Sequence, residues 1–195
     1  MPRWVRRKGS KPIRAGFDSL GACFSFNLRF PKLVVTDAGY NDNNTARAAA
    51  VVFDHWGASQ PFREYVLTVG GIAPYEPGQF YKRELPCLMA LFDSIEEPIS
   101  TFLVDGHTWL SDGRPGLGHY LFEALGRRVP VVGIAKRPFV DGCAVEVRRG
   151  KSDNPLHVTS DGISFEDAAN AVRGMHGPHR IPTLLKRVDA MSRGR

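Results

Sequence analysis

No stretch of the 195 residues approaches the run of about 20 apolar residues that a membrane-spanning helix needs, so no membrane partner is expected. Cysteine is scarce. Cys23, Cys87 and Cys143 lie far apart, without the paired spacing of a zinc site or a disulfide framework, and are expected as buried or partly buried free thiols. The basic start has no apolar stretch behind it. Gly9, Ser10 and Pro12 follow the charges where a signal peptide would be apolar, which makes the cytoplasm the expected compartment. Internal repeats, low-complexity segments and an interdomain linker are also missing. Residues 1–16 read as a basic tail and 17–195 as a single domain, expected to act as a monomer.

Acidic side chains are absent from residues 1–16, which hold Arg3, Arg6, Arg7, Lys8, Lys11 and Arg14. These six account for the whole net charge of +6, and the last ten residues add a surplus of three. Residues 17–185 are therefore net −3. Basic ends around an acidic centre suit a protein that attracts phosphates at its rim and holds cations in its site. Two solvated tails would produce the same pattern.

The apolar residues are ordinary in number, 43% of the chain, and their period changes once. Phe24, Phe26, Leu28 and Phe30 alternate with polar residues, as a half-buried strand does. Leu33 to Tyr40, Ala46 to Phe53 and Glu64 to Val69 read as further strands, joined by short antiparallel connections. From Arg83 the spacing becomes helical through Leu85, Leu88, Met89 and Phe92, with Pro86 expected in the first turn. Ser100 to Asp105 and Val129 to Lys136 are continuous apolar strands separated by a helix over Leu117 to Leu125, the signature of a parallel pair. Short strands over Val145 to Arg149 and Leu156 to Thr159 precede two closing helices, one capped by Ser164 and one starting near Pro182. The predicted architecture is α/β: a ribonuclease H-like mixed sheet, strands 1–3 antiparallel and strands 4–5 parallel, flanked by helices.

In such a sheet, sites form at the carboxyl ends of the parallel strands. Asp105 and Lys136 fall at those ends, and Asp37 joins them if its strand runs parallel to that of Asp105. Glu84 opens the helical stretch. Three carboxylates delivered by separate elements suit magnesium, which is held by a few carboxylates together with water and phosphate oxygens. With an ammonium beside them they suit phosphodiester hydrolysis. Each residue also has a plainer reading. Asp37 precedes Ala38-Gly39 and fits a turn, Glu84 fits a first-turn acid facing the helix dipole, and Lys136 fits a side chain reaching for solvent. His107 and His119 are candidates for proton transfer or ordinary surface histidines. Pro74-Tyr75-Glu76-Pro77-Gly78 is a stiff loop that presents an aromatic ring, either as a wedge for a base stack or as a simple proline turn.

Pro74-Tyr75-Glu76-Pro77 followed by Arg83-Glu84 resembles the wedge and glutamate motif of the endonuclease V family. Phe102-Leu103-Val104-Asp105-Gly106-His107, Val132-Gly133-Ile134-Ala135-Lys136 and Thr36-Asp37-Ala38-Gly39-Tyr40 are similar to its other motifs, in order, and Arg180-Ile181-Pro182 to its ending. The resemblance implies a Mg2+-dependent nuclease, with Mn2+ able to substitute, acting on inosine in DNA or RNA. It implies cleavage of the second phosphodiester 3′ to the lesion, leaving a 3′-hydroxyl and a 5′-phosphate. Asp37, Glu84 and Asp105 would be metal ligands, and Lys136 would complete the catalytic set. Tyr75, Pro74, Pro77, Arg83, Gly106 and His107 would contact the nucleic acid, the lesion base flipping into a pocket beside Gly106. The chain departs from the pattern at Glu76, at Leu110-Ser111-Asp112-Gly113 and at Val158-Thr159-Ser160-Asp161-Gly162, where an apolar residue and two histidines are usual. An alternative is therefore a nucleic-acid-binding relative with an altered substrate or lost cleavage, and a third reading is a structural domain with an ion-pair network.

Overall fold

The computed structural model describes residues 30–41, 43–74 and 76–195. Strands β1 (Lys32–Tyr40), β2 (Thr45–Phe53), β3 (Arg63–Gly70), β4 (Ile99–Val104), β7 (Val131–Ala135), β8 (Val145–Val147) and β9 (Leu156–Asp161) form one sheet in the order β3-β2-β1-β4-β7-β9-β8. The pairs β1–β2 and β2–β3 are antiparallel, while β1–β4 and β4–β7 are parallel. The last strands, β9 and β8, return antiparallel. The mixed ribonuclease H-like sheet is thus present. The strand expected over Phe24 to Phe30 lies outside the described residues except for Phe30, which is 74% exposed and in no strand.

Alternation along β1 divides the core in two. Leu33 and Val35 face one side, where α3 (Phe165–Arg173) and α4 (Thr183–Ser192) pack through Ala168, Val172, Leu184 and Val188. Val34 faces the other, against Leu88 and Leu91 of α1 (Tyr81–Ser94) and Leu121 of α2 (Leu117–Ala124). Burial of side chains such as Phe53 and Phe102 stabilises each layer by about 1.5–3 kcal/mol per residue. The Ser164 cap forms as expected, its Oγ accepting from the Asp167 N–H at 3.0 Å.

Two elements differ from expectation. α1 begins at Tyr81, earlier than Arg83, so Pro86 falls inside the helix beyond its first turn. Without an N–H, Pro86 cannot bond the Lys82 carbonyl. A small hairpin, β5 (Trp109–Ser111) with β6 (Arg114–Pro115), follows β4; strands of three and two residues are too short to show a period.

Candidate active site

Parallel pairing brings the two aspartates together. Thr36 pairs with Val104, so Asp37 and Asp105 are the next residues along neighbouring strands. Val104 in turn pairs with Gly133 of β7, which sets Lys136 just past the end of that strand. The Lys136 ammonium donates to Asp105 Oδ2 at 2.6 Å. Glu84 arrives from the first turn of α1 and is only 3% exposed; Tyr40 Oη donates to its Oε2 at 3.4 Å. Placement of Asp37 within β1 sets aside the turn reading of that residue.

The last helix adds groups that sequence reasoning missed. Ser192 Oγ lies 2.6 Å from Asp37 Oδ2, and Asp189 Oδ1 lies 3.6 Å from the Lys136 ammonium and 2.9 Å from the Arg193 guanidinium. Asp189 and Ser192 are three apart on one face of α4, a spacing readable from sequence; nothing in the sequence says that this face meets the sheet edge. Gly39 lets the helix end approach, since a Cβ there would lie 2.4 Å from the Ser192 carbonyl oxygen.

The charges are coupled. Burial, then the negative charges of Asp37 and Asp105, hold the Glu84 carboxyl well above the ordinary carboxylate range. Burial also raises Asp37, outweighing the Ser192 hydrogen bond, with Asp105 and Asp189 adding to the rise. Burial pulls the Lys136 ammonium down, but its hydrogen bond to Asp105 and the surrounding acids carry it above its usual value.

Among the described residues, no three acidic, histidine or cysteine side chains already stand as a metal-ligand group. Asp37 is turned to Ser192, Asp105 to Lys136 and Glu84 to Tyr40. The donor chemistry still fits a hard divalent cation: three carboxylates within one another's field, two of them driven toward protonation by burial first and by the charge of neighbouring acids second. An isolated first-turn acid facing a helix dipole would not feel two distant aspartates, so that reading of Glu84 is insufficient.

Beside this edge, Gly106 turns the chain at a φ of 152°, a value L side chains rarely adopt. With His107 and Asp105 it lines a cavity of about 230 Å³, walled also by Phe80, Tyr81 and Phe139. His107 Nε2 lies 3.1 Å from the Arg137 carbonyl, while its Nδ1 is buried without a partner. Burial lowers the His107 pKa. The Arg83 guanidinium sits 4.1 Å from the Tyr40 ring centroid. Pro74 and Pro77 are exposed, and Tyr75 lies outside the described residues. Glu76 pairs with Lys82 at 3.3 Å, which offsets the carboxylate in that loop. His119 bonds none of Asp37, Glu84 and Asp105; its Nδ1 lies 3.0 Å from Asp161 Oδ2 and its Nε2 3.7 Å from Glu123 Oε1.

This sheet and its edge of acids define a class, the ribonuclease H-like nucleases. The family model for endonuclease V matches residues 25–164. A curated endonuclease V from Streptomyces avermitilis is 33% identical over 180 residues, covering 80% of this chain and 77% of its own. The chain belongs to the endonuclease V family and is an endonuclease. Its fold is similar to the crystal structure of the Streptomyces avermitilis endonuclease V, with a TM-score of 0.68, 22% identity, and 85% of this chain and 81% of that one covered. It is similar also to Ciona intestinalis endonuclease V in complex with DNA containing an inosine followed by a ribo-adenosine, with a TM-score of 0.70, 18% identity and 84% of each chain covered.

Proposed function

We propose that this endonuclease hydrolyses inosine-containing DNA or RNA at the second phosphodiester 3′ to the lesion. The observation that carries the reading is the parallel register that sets Asp37 beside Asp105, with Lys136 bonded to the latter and Glu84 within the field of both. Family membership and the inosine-containing DNA bound by the Ciona relative support the substrate.

The family is metal-dependent, and in this reading Asp37, Glu84 and Asp105 hold Mg2+, with Mn2+ able to replace it. When bound, the cation would polarise the phosphate and acidify the attacking water. The water oxygen bonds to phosphorus, the bond from phosphorus to the 3′ oxygen breaks, and that oxygen leaves protonated. Lys136 offsets the negative charge that builds at the phosphate. The cavity beside Gly106 and His107 takes the flipped base, and the Pro74 to Pro77 loop, with Tyr75, fills the gap in the stack. Arg83, packed on Tyr40, contributes positive charge on the strand's side of α1. In this proposal residues 17–195 act as one domain and as a monomer in the cytoplasm; no helix among the described residues is long and apolar enough to cross a membrane.

The test is a cleavage panel of inosine, uracil, mismatch and undamaged strands with the cut mapped. Only inosine strands should be cut, one nucleotide beyond the lesion's neighbouring bond, and Asp37→Ala and Asp105→Ala should abolish the product. Equal cutting of undamaged strands would overturn the substrate. Lys136→Ala should lower kcat about 100-fold while KM moves little.

A further inference from the structure

Resting on the reading just given, a second cavity extends it to the part of the substrate beyond the cut. Between α4 and the sheet lies a space of about 300 Å³ whose walls include Val35, Ile134, Leu156, Ile181 and Leu185. Its lining also includes Asp37, Asp105, Lys136 and Asp189, the same groups that surround the candidate reaction centre. Asp105 is also in the wall of the cavity beside Gly106, so the two spaces flank the carboxylates. A strand with its flipped base in one must cross Asp105 to reach the other.

The chemistry of the space suits a nucleoside. An apolar inner wall with polar and charged groups beside it can seat a base while the sugar and phosphates meet the polar side. The lining also carries Lys136, Arg180 and Lys186, with His179 beside them; Lys136 is tied to Asp105, so Arg180 and Lys186 are the cations left for a phosphodiester chain. Arg180 is fixed by donation from its Nη2 to the carbonyls of Lys136 and, at 2.7 Å, Pro155. Its Nε is buried without an acceptor, so the guanidinium is held in the wall by its Nη2 bonds alone. The loop that carries it is held in turn by Arg149, whose guanidinium donates to five carbonyls, those of Arg173, Met175, Gly177, His179 and Arg180. That clamp makes the wall preformed.

We propose that this cavity receives the nucleoside on the 3′ side of the scissile phosphate, the second nucleotide after the inosine. Seating it there fixes the strand on both sides of the bond to be cut, which is a positional gain beyond the lesion pocket itself.

An abasic spacer placed at that nucleotide removes the base and keeps the phosphates. It should lower kcat/KM about tenfold, the effect of losing one seated base, whereas a spacer two nucleotides further on should have no effect. Leu185→Trp, which fills the space, should lower activity on the intact strand and erase the difference between the two spacers. In chelator, 2-aminopurine at the same nucleotide should change emission when the strand binds, and one placed further downstream should not. Equal kcat/KM for both spacers, or unchanged emission at that nucleotide, overturns the proposal even if inosine strands are cut as expected. Should no inosine strand be cut, the function reading fails separately, and the emission of a bound strand still reports whether the cavity is filled. If Leu185→Trp does not fold, the spacer and emission results on the unaltered protein decide.

Discussion

Glu84 has almost no contact with solvent, so its charge must be balanced inside the protein or given up. Its partner is a tyrosine hydroxyl at 3.4 Å, a weak hydrogen bond, and the charges of Asp37 and Asp105 outweigh that of Arg83 beside it. Glu84 and Asp37 therefore hold their protons more tightly folded than unfolded. Stability from such groups is fully present below their unfolded values, 4.5 and 3.8, and is lost as pH rises through the higher folded values. His107, lowered by burial, acts in the opposite sense near its ordinary 6.5, so the informative quantity is a difference. In chelator, the Tm of Glu84→Gln should gain on that of the parent as pH rises from about 5 to 8. Added Mg2+ should close the gap by raising the parent. A gap that narrows with pH in chelator would contradict the assigned shift. Of the candidate site's residues, Asp37, Asp105 and Lys136 were legible because apolar runs of the sequence end beside them, although β1 itself continues past Asp37, and Glu84 because its motif is specific. Asp189 and Ser192 were not, since which face of a helix meets a sheet edge is decided by tertiary packing.

At the scale of elements, β7 and the turn after β4 are fitted through one missing side chain. A Cβ on Gly133 would lie 2.6 Å from both the Gly106 carbonyl oxygen and the Thr108 amide nitrogen. The same turn is tied down from β9, where Thr159 Oγ1 accepts from the Thr108 N–H at 2.8 Å. Gly133→Ala should therefore cost about 1–3 kcal/mol in denaturant unfolding and push Gly106 and His107 out of place. Cleavage should fall further than the loss of folded protein explains; full activity would mean that the turn does not position substrate. The large elements could be read from sequence because β1 and β2 are nine-residue stretches rich in apolar residues with turn residues between them, and α1 carries helical spacing. The β5–β6 hairpin could not, and its place is set instead by Trp109 donating to Asp161 Oδ1 at 3.1 Å across 52 residues. The true start of α1 was hidden by Pro86, which reads as a first-turn residue although the helix begins ahead of that turn.

For the whole molecule, charge separates from chemistry. The candidate reaction centre gathers acids, whereas residues 1–16 and the last ten are basic. Neutralising Arg3, Arg6, Arg7 and Lys8 should weaken strand binding and flatten its salt dependence, by a slope of about one for each phosphate left without its cationic partner. An unchanged slope would make that tail a bystander. The parallel order β1-β4-β7 is what lets acids 68 residues apart, Asp37 and Asp105, lie on adjacent strands. That juxtaposition has meaning only if a cation joins it. A Mn2+ titration followed by electron paramagnetic resonance tests this without any substrate. The free-ion signal should be suppressed saturably by the protein, and the suppression should be lost in Asp37→Asn and in Asp105→Asn. A signal that stays at full intensity beside the unaltered protein, or is quenched equally by both variants, would contradict the account.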